Sequence, residues 1–597
     1  MAKKELLVTC GLFLLAALAF NGFYQLAEAY DGYQQIYGLG LYRIAREELT
    51  FYLWYALFAS LALLSLAVGL SRTVLPERIE ILLRGVFARP RIFLLCATLL
   101  LVLAVLSFRF LVLLGAPIAD DEATYVFIAK TLLQGRVVNP LPEDHTFFKN
   151  QFVVLNQAGW YGKYPLGHPA VLALGEAVGL RFLVPAATVA LAFLLTQAVG
   201  KRLFGRSEAL LASCLLLASP QFVFTGATDL SQPTSCLFMM AGLLAMLKIE
   251  ETGRYRFYLA AGAAWGFGAL VRPLPNGLFL LAAAAVYLLQ EPWRKWRTHP
   301  APRAARIAVA ALPVAACGIF FLWVNGQQTG ESLRTGYHEA HDDELGVFLI
   351  DTTKLWFSLA GAFLRQNFWL FGWPVSFLLV LFARGKASLV LFWSLILAEY
   401  AYRLIAPKTV VATTGPVYVA EIVPLLALAT ASGAVRIKRW LQTVGVEKAN
   451  TLVTSSLISA TLIAALMFVP VQVRWIRDSS QAWLTPYRLL SEKRGTSERK
   501  ALVFADVMVP PDWGLTWAYH PPNPSPGLDD EVIFVRRSGS RDRFRAMVKF
   551  WRRRFPDRTA WIFGFPEGKP TLTQIKRRPT EKGDYYYLDT DGSGNTR

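Results

Sequence analysis

Pro117-Ile118-Ala119-Asp120-Asp121-Glu122-Ala123-Thr124-Tyr125 follows directly on the apolar run Leu99 to Gly115, which only Arg109 interrupts. A run of that length and composition spans a bilayer as a helix. Three carboxylates at its lip cannot sit in hydrocarbon. They face water or a cation, and such residues are functional candidates by default. Asp120 or Asp121 could also cap a helix running from Ala123 to Leu133, a role compatible with chemistry.

The rest of the chain agrees with a membrane setting. Of its 597 residues 54% are hydrophobic and only 17% charged, and the mean hydropathy is +0.39. A soluble domain carries about 25% charged residues. The net charge of +19 could point to nucleic acid, but the basic residues fall in alternate loops between apolar spans, the positive-inside pattern. Nucleic acid is therefore not expected as a partner; membrane lipids are. The five cysteines, Cys10, Cys96, Cys214, Cys236 and Cys317, all lie in apolar stretches. Neither a disulfide framework nor a thiolate zinc site is expected from them.

Apolar segments near 51–70, 92–115, 181–200, 208–225, 232–249, 256–271, 274–290, 307–325, 368–383, 387–406, 416–434 and 451–470, with one at the N-terminus, give about thirteen spans in one consistent orientation. Arg72, Arg78, Arg84, Arg89 and Arg91 lie inside, and the carboxylate loop, 116–168, lies outside. The N-terminal run Leu6 to Phe20 could be a signal peptide ending at Ala27-Glu28-Ala29. Its apolar character continues toward Leu26, which favours an uncleaved helix. A second long outer segment is 326–367, with Arg334, His338, His341 and Asp342-Asp343-Glu344. Its clustered charges read first as a solvated outer face, with an acceptor or metal-binding loop as the alternative, and part of it as an interfacial helix. A divalent metal could bind there. The metal set is otherwise unknown, and no cofactor is otherwise expected. The division is then two extra helices over 1–91, a membrane core over 92–472 and a small outer α/β domain over 473–597. In that domain 501–504, 532–535 and 559–563 read as strands, and Arg541 to Phe555 as a basic amphipathic helix.

The spacing Asp-Glu-Ala-x-Tyr-x-x-x-Ala-x-x-Leu-x-x-Gly, from Asp121 to Gly135, resembles the first outer loop of the GT-C membrane glycosyltransferases. The likeness is greatest to the branch of protein O-mannosyltransferases and lipid A aminoarabinose transferases. Tyr161-Gly162-Lys163-Tyr164-Pro165-Leu166-Gly167-His168 resembles that family's second signature, with Tyr164-Pro165-Leu166 in place of a double proline. Arg272-Pro273 resembles its Thr-Arg/Lys-Pro junction. Gly415-Pro416-Val417-Tyr418, with Glu421, resembles a late motif in which Val417 stands where the family has arginine; Lys408 and Arg403 are nearby substitutes for that charge.

The resemblance implies a polytopic α-helical enzyme that transfers a sugar, with inversion, from a polyprenyl-phosphate donor. The acceptor is a glycan, lipid or protein on the outer face of a bacterial inner membrane. It assigns Asp121 as base, with Glu122 and the extra carboxylate Asp120 beside it. Lys163, Arg272, His168 and Tyr161 fall at the donor phosphate. For Lys163 the alternative is an interfacial anchor, for His168 a bond to a helix end, and for Arg272 a carboxylate partner such as Asp229. The chemistry needs few parts. A base takes the acceptor proton and cations stabilise the departing phosphate. The phosphate leaves as a stable anion, so one carboxylate suffices. The competing reading is a transporter or flippase of a lipid-linked sugar, but repeated halves with interrupted helices are not evident. An inactive relative that binds lipid-linked sugar is a third; the intact Asp121-Glu122 argues against it.

Overall fold

The computed structural model describes residues 3–29, 41–117, 119–150, 152–290, 300–340, 352–384, 389–405, 414–494, 500–506, 522–537, 542–580 and 583–589. Seven helices among them are long and apolar enough to cross a membrane. They contain Glu5–Gln25, Thr50–Ser71, Pro90–Val112, Leu183–Leu203, Gln232–Thr252, Ala304–Thr329 and Ala449–Lys493. Arg206–Leu217 and Pro220–Gly226 make an eighth if counted as one span bent by 61°. Pro220 enforces the break, since it cannot continue the hydrogen-bond ladder, and Ser219 caps the second piece by accepting the Phe222 N–H. Helices Tyr255–Val271, Pro273–Gln290, Leu389–Ile405 and Val423–Thr443 coincide with further expected spans.

One expectation fails. The segment read as a span at 368–383 is instead the end of helix Thr352–Phe371 followed by a turn and the short helix Phe377–Val380. The expected outer segment 326–367 ends inside this helix. Gln366 is in fact buried against Gln221, and Asn367 bonds the Pro374 carbonyl and the Phe377 N–H across the turn.

A hairpin of β1 (Val153–Asn156) and β2 (Gly159–Gly162) crosses the outer loop. Beyond the long helix Val469–Lys493 a five-stranded sheet forms from β3 (Ala501–Ala505), β4 (Val532–Arg536), β5 (Thr559–Gly564), β6 (Thr571–Thr580) and β7 (Gly583–Asp589), in the order β4-β3-β5-β6-β7. The first three strands are parallel, and the basic helix Arg543–Arg554 connects β4 to β5. Strand alternation sends Leu502, Phe504 and Ile562 against Met547 and Phe550 of that helix. Val503, Trp561 and Phe563 point the other way, against Trp483 and Leu490. The expected strands and helix are present. β6 and β7 are additions, hidden in sequence by Arg577, Arg578 and Pro579 on an edge hairpin.

The sheet packs on the carboxylate loop. Phe147 stacks on Phe550 with centroids 4.2 Å apart. Lys130 bonds Ser525 and pairs with Asp530, Asn150 meets Asn523, and Arg553 pairs with Asp144.

Candidate active site

The loop helix Asp120–Leu133 starts after a sharp reversal. Leu114 and Gly115 adopt φ of 55° and 71°, just past the π-helical turn Phe108–Val112. Three acidic residues in the first turn suit the positive end of the helix. Glu122, rather than Asp120 or Asp121, makes the cap. One of its oxygens accepts the Ala119 N–H at 3.3 Å, closing the start of the helix as in a capping box. The other accepts the Asp229 N–H at 2.7 Å. Glu122 is 2% exposed, and both oxygens are committed to backbone.

Arg109, the lone charge of the run Leu99 to Gly115, reaches the same junction. Its guanidinium donates to Asp229 Oδ2 and to the Ala227 carbonyl, both at 2.9 Å. Arg181 approaches that Asp229 oxygen at 3.4 Å. An arginine at this depth needs such partners. Asp229 therefore belongs to Arg109 and Arg181. Arg272, for which Asp229 was the suggested carboxylate, pairs with Glu421 at 3.2 Å and lies over the Tyr418 ring.

Asp120 and Asp121 project from the same turn, both half-buried. Asp121 Oδ1 accepts the hydroxyl of Tyr164. Burial, and the charge of Asp121 beside it, push the Tyr164 phenol well above its ordinary value, so it stays a donor. Burial and the Asp121 charge also hold the Asp120 carboxyl well above the usual carboxylate range. Asp120 thus favours its protonated form.

Lys163 is 3% exposed. Its Nζ lies 3.8 Å from the Phe152 ring centre, 5.1 Å from Tyr164 and 5.2 Å from Tyr337. Such an aromatic cage favours a cation. Tyr337 reaches it because Gly336 lies against the Lys163 backbone, where a Cβ would come within 2.8 Å of the Lys163 Cα. In the same way Gly167 lies on the backbone of Leu270 and Val271, holding the end of the outer loop against the Arg272 turn.

His168 has a structural place. Its Nε2 meets the Asp229 carbonyl at 2.7 Å and its Nδ1 the Thr234 hydroxyl at 2.9 Å. Of the two neutral tautomers only the Nε2–H form satisfies both, donating to the carbonyl and accepting from the hydroxyl. Burial lowers its pKa to about 4 in agreement. Tyr161 sits apart, accepting from Asn156, which also bonds Glu339. Arg334 pairs with that Glu339 at 2.6 Å, and His338 bonds Thr335. His341, Asp342, Asp343, Glu344 and Lys408, and the Arg403 side chain, lie outside the described residues. Among the described residues no group of three His, Cys, Asp or Glu could hold a metal ion.

The structure therefore brings Asp121 and Lys163 to one side chain, Tyr164, with Asp120 beside Asp121, while Arg272 lies with Glu421 and Tyr418. Tyr164 and Tyr337 were missed as site residues. Tyr164 lay inside the quoted signature, but only as a variant of its proline.

Residues 170–320 match the model of a family described as dolichyl-phosphate-mannose-protein mannosyltransferase. The match includes Asp229 and Arg272 but stops short of the carboxylate helix and Lys163. Among solved structures the chain is similar to ArnT from Cupriavidus metallidurans bound to undecaprenyl phosphate, at 14% identity and a TM-score of 0.48, covering 85% of this chain and 99% of that one. It is also similar to an Archaeoglobus fulgidus oligosaccharyltransferase, at 11% identity and 0.39, covering 72% and 64%. A third is the arabinosyltransferase EmbB from Mycobacterium smegmatis, at 14% and 0.38, covering 72% and 43%. No curated protein sequence matches. Over residues 170–320 the chain is thus similar to a family of membrane glycosyltransferases, and its long apolar helices are those of a polytopic membrane protein.

Proposed function

We propose that the chain is an inverting glycosyltransferase that moves a sugar from a polyprenyl-phosphate donor to a hydroxyl of a glycan, lipid or protein acceptor. The reaction takes place at the outer membrane–water boundary of a bacterial inner membrane. Asp121 accepts the acceptor proton as that oxygen attacks the anomeric carbon. The bond from that carbon to the phosphate oxygen breaks, its electron pair stays on the phosphate, and polyprenyl phosphate leaves. Lys163 and Arg272 face the charge that develops there, which speeds the step only to the extent that they bind the leaving phosphate more tightly than the bound donor. Asp120, favouring its proton, lets one base serve the site. Glu122 and His168 hold the scaffold rather than react.

The observation that carries this reading is the Tyr164 side chain, with a carboxylate on its hydroxyl and an ammonium over its ring. An acidic and a basic side chain thereby meet at one tyrosine, which supports reading the first as base and the second as phosphate ligand. The family match over residues 170–320 supports the lipid-phosphate donor. The test is to incubate purified protein in sealed lipid vesicles with a radiolabelled polyprenyl-phosphate sugar and membrane acceptors. Acceptor-dependent release of polyprenyl phosphate is expected. Movement of intact donor across vesicles without cleavage would replace the enzyme with a flippase.

A further inference from the structure

We propose that Tyr164 is a positioning residue for the base: its hydroxyl holds one oxygen of Asp121 so that the other faces the acceptor. This rests on the assignment of Asp121 as base.

Three observations carry it. The Tyr164 hydroxyl donates to Oδ1 of Asp121, which leaves Oδ2 for an incoming hydroxyl. The ring itself cannot swing freely. It packs against Tyr125 at 4.7 Å and against Phe152 and Tyr337 at 5.7 Å. Its phenol, pushed up by burial and by Asp121, keeps its proton and stays a donor. A tyrosine so held cannot itself serve as the base. What it can do is fix the carboxylate rotamer, and a loosely held catalytic group forfeits much of the advantage of proximity. Tyr164 also carries Lys163 over its ring, so one rigid side chain sets the spacing between base and cation.

Tyr164→Phe removes the hydroxyl and keeps the ring, hence the Lys163 cage. The inference predicts that kcat falls about 10- to 100-fold while the donor KM changes less than about twofold. Thermal unfolding in detergent identifies a variant that fails to fold, and in that case Tyr164→3-fluorotyrosine, which keeps both ring and donor, must retain wild-type turnover. A wild-type kcat in folded Tyr164→Phe overturns the inference. So does a raised KM with kcat unchanged, which would make Tyr164 a donor-binding residue. The parallel Asp121→Asn variant separates the two readings. If it is inactive while Tyr164→Phe is normal, only the positioning role falls. If it is active, the base assignment falls with it.

Discussion

Glu122 accepts the backbone N–H of Asp229 at 2.7 Å, across 107 residues of sequence. The bond fastens the N-terminus of the outer helix to the turn between two membrane segments, with Arg109 closing the junction from below. Asp121, the proposed base, stands one residue before Glu122 and takes its place from this joint.

Glu122→Gln keeps the shape but presents an N–H₂ toward one of two backbone donors. A loss of about 1–3 kcal/mol is expected from the stranded buried donor, visible as a lower unfolding temperature in detergent. Arg109→Leu leaves Asp229 with only the half-exposed Arg181, and a buried charge deprived of its partner costs about 3–5 kcal/mol. The pair Arg109→Leu with Asp229→Asn should be milder than the sum of the singles. Additive losses would mean the two side chains are not coupled.

His168 makes stability depend on acidity. The unfolded imidazole takes a proton below its ordinary value of 6.5, while the folded one resists until about 4. The unfolded state therefore binds more protons between these limits, and stability falls as pH is lowered from 6.5 toward 4. The full effect is up to about 3 kcal/mol. Relative to wild type, His168→Gln should show a flatter fall in unfolding temperature over that range. Parallel curves would show that His168 is not held neutral.

Much of this was legible beforehand. The apolar spans are long and the basic loops alternate, so the helices fall where hydropathy sets them. Asp121 and Lys163 were legible because carboxylates and a lysine beside membrane spans are conspicuous. What sequence hid was pairing. Nothing local tells Arg272 to choose Glu421 over Asp229, because both lie far away along the chain. The inner end of helix Thr352–Phe371 was hidden because Gln366 bonds Gln221 inside the bundle, a pairing across 145 residues of sequence. Glu122 looked like a partner of the base, and its role as cap emerges only from the Ala119 and Asp229 bonds.

The proposed orientation puts the sheet domain on the side of the carboxylate loop, consistent with the Phe147–Phe550 stack and the Arg553–Asp144 pair. In a protein lacking its five native cysteines, single cysteines at Thr146 and Glu567 should react with an impermeant maleimide on intact cells. One at Glu447 should react only after lysis. Protection of Glu567→Cys alongside labelled Thr146→Cys would reverse the placement.

Lys163→Met removes the caged charge with little change in volume. Donor binding should weaken, and turnover at saturating donor should also fall about 10-fold or more, because the cation acts as the leaving phosphate gains charge. Lys163→Arg should keep part of both. Wild-type binding and turnover in Lys163→Met would make the lysine an interfacial anchor only.

The central claim is that Asp121 takes the acceptor proton. Single-turnover transfer from a polyprenyl-phosphate sugar, measured in Asp121→Asn with donor binding followed in parallel, tests it most directly. The account predicts donor bound as in wild type and a rate about 10²- to 10⁴-fold lower, whereas transfer at the wild-type rate would contradict it.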